Sequence, residues 1–274
     1  MDLLKYLTRP KFRSPALAVC WEADAGQLGA GVLDYIKREL VAEPFCEIDP
    51  VDFFPLSGVA IESDVVIFPE STFYSVPERD LIVLFSSIPR YEWFRFLNLV
   101  VDVAHDCHAR EMYTIGGMIT LGPHTSPRDF WATFNSPQIK KSLASYGLSR
   151  ELDFETPPGG RPTLNSFLLW TAKQRDLPGA NLWVPVPFYL VGTDDPKAHR
   201  KVLEFMDSRL DLRLNFAGID AEIARQDEKI ARLRRERPEI ESIIGKLESN
   251  VRLSEEENEK LAKEVEEYLR KKNG

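Results

Sequence analysis

Long hydrophobic runs are missing from this 274-residue chain. No apolar stretch reaches the ~18 residues that a membrane-spanning helix requires, so a membrane partner is not expected. The opening Met-Asp-Leu-Leu-Lys-Tyr-Leu-Thr-Arg-Pro places charges inside any would-be apolar segment and offers no small-residue cleavage site, which argues against a secretory signal. Cysteine is scarce: Cys20, Cys46 and Cys107 form an odd, widely spaced set without CxxC pairing, pointing to a reducing compartment and a cytoplasmic location. Basic charge is also short, with 35 Lys and Arg against 43 Asp and Glu and no basic block, so nucleic acid is excluded as a partner. No G-x-S-x-G elbow, P-loop, CxxC or HExxH motif occurs, and no nucleophile pairs convincingly with a base. No cofactor and no metal are expected.

What the chain does have is 43% hydrophobic and 11% aromatic residues, enough for a real core and too many for wholesale disorder. These residues are unevenly spread. Residues 212–274 carry 14 basic and 15 acidic side chains, only two aromatics (Phe216 and Tyr268) and one proline, Pro238. Nearly all the net charge of −8 therefore belongs to residues 1–211. The division predicts a packed domain over 1–211 and a near-neutral helical extension over 212–274.

In the first part, short apolar runs alternate with helical patterns. Strands are predicted at Ala16–Cys20, Phe45–Ile48, Val65–Pro69, Leu81–Phe85, Glu111–Ile115 and Leu182–Val191. Helices are predicted over Gly29–Leu40, Tyr91–His108, Pro137–Tyr146, Leu164–Arg175 and Pro196–Leu210, with Pro137 and Pro196 suited to a first helical turn. Such alternation implies a three-layer α/β/α domain around a mostly parallel sheet, with any ligand site at the carboxyl ends of the strands. In the extension, Ile219, Ile223, Gln226, Ile230, Leu233, Arg237, Ile240, Ile244, Leu247 and Val251 recur at steps of three and four, as in a coiled-coil seam. Pro238 breaks that seam, and Ser254 with Glu257 forms a capping box that opens a last helix. A helical hairpin or coiled-coil extension follows, packed in cis or on another subunit.

Several segments could carry chemistry. The turn Trp21-Glu-Ala-Asp-Ala-Gly-Gln-Leu-Gly-Ala-Gly31 has the strand–glycine–helix order of a phosphate site, but Glu22 and Asp24 stand where the anion would sit. Its plainer reading is a tight turn whose acid caps the next helix. His105 and His108 share a helical face without a third ligand, which suits a solvated helix end. The loop Gly116-Gly-Met-Ile-Thr-Leu-Gly-Pro-His-Thr-Ser-Pro-Arg128 holds the best polar cluster. Its histidine and threonine could equally serve the loop's own backbone. The candidate ligand pocket is thus Glu22, Asp24 and Gly26 with Gly116, Gly117, His124, Thr125 and Arg128. The segments Tyr91–Phe96 and Trp183–Leu190 are rich in aromatics, which fits either core or a subunit contact.

The order of short motifs is more specific than any one of them. Trp21-Glu-Ala-Asp-Ala-Gly26, Ile48-Asp-Pro-Val-Asp-Phe-Phe54, Phe68-Pro, Phe73-Tyr74 and Asp80-Leu-Ile-Val-Leu-Phe85 occur in series. Pro123-His-Thr125, Asn135-Ser-Pro137, Leu182-Trp-Val-Pro-Val-Pro-Phe-Tyr189 and Asp195-Pro-Lys-Ala198 follow. Over roughly residues 16–212 the chain resembles the proteasome-assembly-chaperone family, of the type related to the second eukaryotic assembly chaperone. The resemblance implies a three-layer fold similar to nucleoside phosphorylases and related hydrolases, an oligomer, and protein clients (proteasome-like subunits where the host has them). The chain departs from the family pattern at His124-Thr-Ser-Pro127, at Pro187-Phe-Tyr189 and at Thr156–Pro162, and it lacks the hydrophobic-Tyr-any ending by which some archaeal relatives engage the proteasome. The leading expectation is a non-enzymatic, oligomeric assembly-chaperone-like or scaffold protein. Its interaction residues would be Trp183, Phe188 and Tyr189 and, in the extension, Ile223, Ile230, Leu233, Ile244 and Leu247. The alternative is a small-molecule-binding or hydrolase-like protein that uses Asp24, His124 and Arg128 at the strand ends.

Overall fold

The computed structural model describes residues 3–55, 60–62, 64–148 and 163–271. The predicted Thr156–Pro162 loop lies outside the described residues. The strands are β1 (Leu4–Tyr6), β2 (Ala16–Trp21), β3 (Glu43–Ile48), β4 (Ala60–Glu62), β5 (Val65–Ile67), β6 (Ser71–Val76), β7 (Leu81–Ser86), β8 (Glu111–Thr120), β9 (Trp131–Phe134) and β10 (Gly179–Pro187). The helices are α1 (Leu28–Leu40), α2 (Trp93–Asp106), α3 (Pro137–Ser142), α4 (Leu164–Gln174), α5 (Pro196–Leu210), α6 (Ala217–Glu236), α7 (Pro238–Glu248) and α8 (Glu255–Arg270).

Eight strands form one sheet in the order β1-β3-β6-β7-β2-β8-β10-β9. The parallel arrangement expected from the sequence holds for the centre, β7-β2-β8-β10, while the strands flanking it run antiparallel, so the sheet is mixed. The reason is local. A turn at Pro77–Arg79 joins β6 directly to β7, and so short a connection can only produce an antiparallel pair. The central strands read as unbroken apolar runs because both of their faces are covered. Along β2, Ala16, Ala18 and Cys20 enter the layer under α1 and α5, whereas Leu17, Val19 and Trp21 enter the layer under α2 and α4.

Three helices of the α/β domain start at side-chain caps. Ser136, Thr163 and Asp195 each accept a hydrogen bond from the first turn of α3, α4 and α5, and Pro137 and Pro196 occupy first-turn positions. The Ser254–Glu257 capping box opens α8, and Pro238 separates α6 from α7. Four predicted elements differ. The strand expected over Glu111–Ile115 runs on to Thr120, so Gly116 and Gly117 lie within β8 and not in the loop after it. Val65–Pro69 is no part of the main sheet; Val65–Ile67 pairs with β4 in an exposed two-stranded ribbon. The predicted strand Leu182–Val191 starts earlier, at Gly179, and gives way after Pro187 to a 3-10 turn over Phe188–Leu190. Helix α3 stops at Ser142. Strand β6, with the sequence Ser-Thr-Phe-Tyr-Ser-Val, is buried along its whole length although half of it is polar, since Ser71 and Ser86 bond each other across the β6–β7 pair at 2.8 Å.

The extension lies on the domain itself. Ile219, Ile230, Leu233, Ile240, Ile244 and Leu247 are buried in the same cluster as α1, α5 and β10, joined by Leu261 and Val265 of α8. The seam's two polar members find specific partners: Gln226 donates to the Asp194 carbonyl at 2.6 Å and Arg237 pairs with Glu264. Each large apolar side chain so buried contributes about 1.5–3 kcal/mol. The chain should therefore unfold as one unit. Ile230→Ala is expected to cost about 2–4 kcal/mol and to lower together the tryptophan-fluorescence transition, which reports residues 21–183, and the far-ultraviolet transition, to which the helices of the extension also contribute; separate midpoints would contradict a shared core.

Candidate functional site

The chain leaves β2 towards β3 on one side of the sheet and leaves β8 towards β9 and β10 on the other. The carboxyl ends of β2 and β8 therefore flank the crevice where open α/β sheets bind ligands. Here that crevice holds the turn 22–27. Asp24 caps the 3-10 turn Ala25–Gln27, accepting from Ala25 N–H at 2.8 Å, and its two oxygens accept from Gly117 N–H at 3.0 Å. The backbone donors that could cradle a phosphate are thus taken by the chain's own carboxylate. Burial pushes the Asp24 carboxyl up to about 6, against the pull of those two N–H groups.

Gly26 continues the network. Its φ of +69° is a left-handed conformation, and a Cβ there would press on Asp195 and Val186 at 3.1–3.2 Å. Its carbonyl accepts from Asp195 N–H at 3.0 Å and hydrogen-bonds with His199 Nε2 at 2.8 Å. Gly31 on α1 leaves room for the His199 ring, which a Cβ would overlap at 2.2 Å. Asp195 accepts from Ala198 N–H as the cap of α5 and from Arg128 Nε at 2.9 Å; both side chains of this ion pair are buried. Arg128 Nη1 donates to the Ser126 carbonyl at 2.7 Å.

His124 is held by Tyr189. The Tyr189 hydroxyl oxygen accepts from His124 N–H at 2.5 Å and lies 2.8 Å from His124 Nδ1, to which its proton can be donated. Burial, with Lys197 nearby, pushes the His124 imidazole down to about 4, so the neutral ring that accepts from Tyr189 is the stable form. Thr125 reaches Glu248 at 3.4 Å, tying the loop to α7. Gly116 packs under Trp183, where a Cβ would come within 2.9 Å of the indole.

The structure thus brings Asp24, Gly26, Gly117 and Arg128 into one internal network and joins His124 to it through the same loop. Glu22 is separate: it accepts from Ser87 and walls a cavity of about 420 Å³ with Phe54, Ile67, Phe68, Ile88 and Arg90. The predicted interaction residues are mostly interior. Tyr189, Ile230, Leu233, Ile244 and Leu247 are buried, and Trp183, Phe188 and Ile223 are half-buried. They meet the chain's own core, one of the two arrangements that the sequence left open, because the seam needs only some apolar face to cover it. His105 and His108 sit at the exposed end of α2, and no group of three His, Cys, Asp or Glu suited to a metal occurs among the described residues. Among those residues, too, no helix is long and apolar enough to cross a membrane. Sequence reasoning missed His199 and the second role of Asp195; the only local signal was an Asp-Pro helix start with a histidine one turn later.

The sequence model of the PAC2 family matches residues 23–234. The chain belongs to the PAC2 family. Solved structures agree on the fold. A protein of unknown function from Mycobacterium tuberculosis superposes with a TM-score of 0.76 at 20% identity, covering 90% of this chain and 88% of that one. A proteasome-assembly chaperone homologue from the same organism gives 0.67 at 19% identity, covering 79% and 94%. An archaeal proteasome activator from Pyrococcus furiosus gives 0.67 at 22%, covering 84% and 98%. No curated protein sequence matches the chain.

The two perturbed groups act on stability with opposite sign. Between about pH 3.8 and 6 the folded chain keeps a proton on Asp24 that the unfolded chain has released, so this contribution is lost as pH rises through 6. Between about pH 6.5 and 4 the unfolded chain takes a proton on His124 that the folded chain refuses, so this contribution is lost as pH falls. Each amounts to about 3 kcal/mol. Relative to the wild type, Asp24→Asn should give urea-unfolding stability that climbs more steeply from pH 4 to 6.5, and His124→Gln should flatten or reverse the climb; parallel profiles for all three proteins would refute both assignments.

Proposed function

We propose that the protein is a cytoplasmic, non-enzymatic, oligomeric assembly-chaperone-like or scaffold protein that grips a protein client through an open apolar face beside β5. Family membership supports the chaperone-like reading, as do relatives described as a proteasome-assembly chaperone homologue and a proteasome activator. The observation that carries it is the face itself. Val65, Val66, Ile67 and Phe68 are consecutive and all exposed, Phe68 to 64%. They lie on and beside the β4–β5 ribbon, and a two-stranded ribbon is marginal by itself in water. Arg90 and the exposed Tyr91 lead from the Phe68 cavity to Phe94, which stacks on Phe167 at 6.2 Å and approaches Trp170 at 6.0 Å. Exposed apolar area of this kind marks contact surfaces. By contrast, the polar groups of the strand-end crevice are engaged with one another, which favours this reading over hydrolysis at that crevice.

The client expected is a subunit of a larger assembly, proteasome-like where the host has one. Phe68→Ser combined with Trp170→Ser removes apolar surface without touching the core, so stability should stay within about 1 kcal/mol of the wild type. Tagged wild-type chain isolated from its host should bring down one stoichiometric subunit, identified by mass spectrometry, and the double variant should recover it at least tenfold less. Equal recovery by both proteins would sink the assignment. An assembly of copies alone, dissolved by the same variant, would give the face to self-association in place of a client.

A further inference from the structure

A cavity of about 710 Å³ opens where the extension meets the domain, walled by α1, the first turn of α5, α6 and the end of α8. That volume suits a small organic ligand. On α1, Asp34 and Arg38 share a helical face; on α6, Glu222, Arg225 and Lys229 do the same. Two ties join the walls: Arg38 reaches Glu222 at 3.5 Å, and Gln226 donates to the Asp194 carbonyl at 2.6 Å. Four charged side chains of the lining are left over, the acids Asp34 and Asp194 on the domain and the cations Arg225 and Lys229 on α6. Among the described residues none of the four has an ion-pair or side-chain hydrogen-bond partner. Set into the wall is His199, only 3% exposed. Its Nε2 lies 2.8 Å from the Gly26 carbonyl, and a carbonyl can only accept, so Nε2 carries the proton of the neutral ring. Nδ1 is thereby left as an acceptor, and no described residue donates to it. Unlike Arg128 Nη2 or Asn181 Nδ2, it is not an atom sealed inside the protein. Buried polar groups are nearly always paired, so this acceptor on a cavity wall calls for a donor from outside the chain.

We propose that this cavity binds a zwitterion of the amino-acid type, free or as a short peptide. Its ammonium group donates to His199 Nδ1 and is balanced by Asp34 and Asp194, and its carboxylate meets Arg225 and Lys229. An ammonium carries three donors, enough for the imidazole and for carboxylates at once. A simple anion would satisfy the α6 cations but give His199 no donor and face the two acids. A simple cation would satisfy His199 and the acids but leave Arg225 and Lys229 opposed to it. Only a ligand with both charges uses both walls, and charge-assisted hydrogen bonds are the strong ones. Such a ligand would add a third tie between domain and extension, beside Arg38–Glu222 and Gln226–Asp194. The site is distinct from the turn at Asp24, whose backbone donors are taken by the chain's own carboxylate, and it does not depend on the apolar face at Phe68.

The test is calorimetric titration of the full chain at pH 7 with each common L-amino acid and with glycylglycine and alanylleucine, against acetate and methylammonium at equal ionic strength. Saturable binding of at least one zwitterion is expected, weakened about tenfold or more in Asp34→Asn and in Arg225→Gln combined with Lys229→Gln. These side chains lie outside the core, so the variants should fold, as circular dichroism will show. Tighter binding of an amino acid than of the dipeptides would make the free amino acid the occupant, and the reverse order a peptide. Nitrogen-15 spectra of the histidine rings supply a second readout: the His199 Nδ1 resonance, assigned with His199→Gln, should move upfield as its lone pair accepts a hydrogen bond. No saturable heat from any zwitterion, acetate or methylammonium binding as tightly, affinity unchanged in the variants, or binding that leaves Nδ1 unmoved would each overturn the proposal.

Discussion

One buried ion pair, Arg128 with Asp195, holds together the parts of this molecule that the sheet alone would leave apart. Arg128 comes from the loop after β8, and Asp195 is at once the cap of α5 and, through its N–H, a donor to the Gly26 carbonyl in the turn after β2. Burying two charges costs several kcal/mol each, and only further hydrogen bonds make the arrangement tolerable. Here those bonds come from Ala198 N–H to Asp195 and from Arg128 to the Ser126 carbonyl. Once the start of α5 is fixed, α6 can cross it and the three extension helices can seat on the α1–α5 layer.

That seating changes what the helical extension means. A seam of isoleucine and leucine at three-and-four spacing states that a helix has one apolar face, and it leaves open whose surface covers that face. In this protein the cover is the chain's own α1, α5 and the turn after β10, with Ile230, Leu233 and Ile244 fully buried. Exposed apolar side chains gather instead on the β4–β5 ribbon and along the Phe94–Phe167–Trp170 stack. A crevice closed by Asp24 and an open, aromatic outer face both support the proposed contact with other proteins over turnover of a small molecule at the strand ends.

Much of the architecture could be read in advance where local chemistry decided it. Pro196 after Asp195, Ser254 ahead of Glu257 and Pro238 within the seam each fixed a helix boundary, because a cap or a missing N–H acts within one turn. The continuous runs of β2 and β7 were legible for the same reason. Strand β6 was not, since its serines and threonine look solvent-facing until Ser86 is brought across from β7. Of the site, Asp24 as a cap was visible, and so was the crowding of polar groups at His124–Arg128. The partners of those groups were not: Tyr189, Asp195 and His199 lie 65 or more residues away from His124, Arg128 and Gly26, and no local pattern links them.

The central claim is that partners are met by the outer apolar face while the strand-end crevice stays closed. Hydrogen exchange measured on the chain alone and on the chain bound to the protein recovered with it tests this directly. The account predicts new protection in residues 64–68, 91–98 and 163–171, with the amides of 22–27 and 116–128 unchanged. Protection confined to those crevice segments, or to α6–α8, would contradict it.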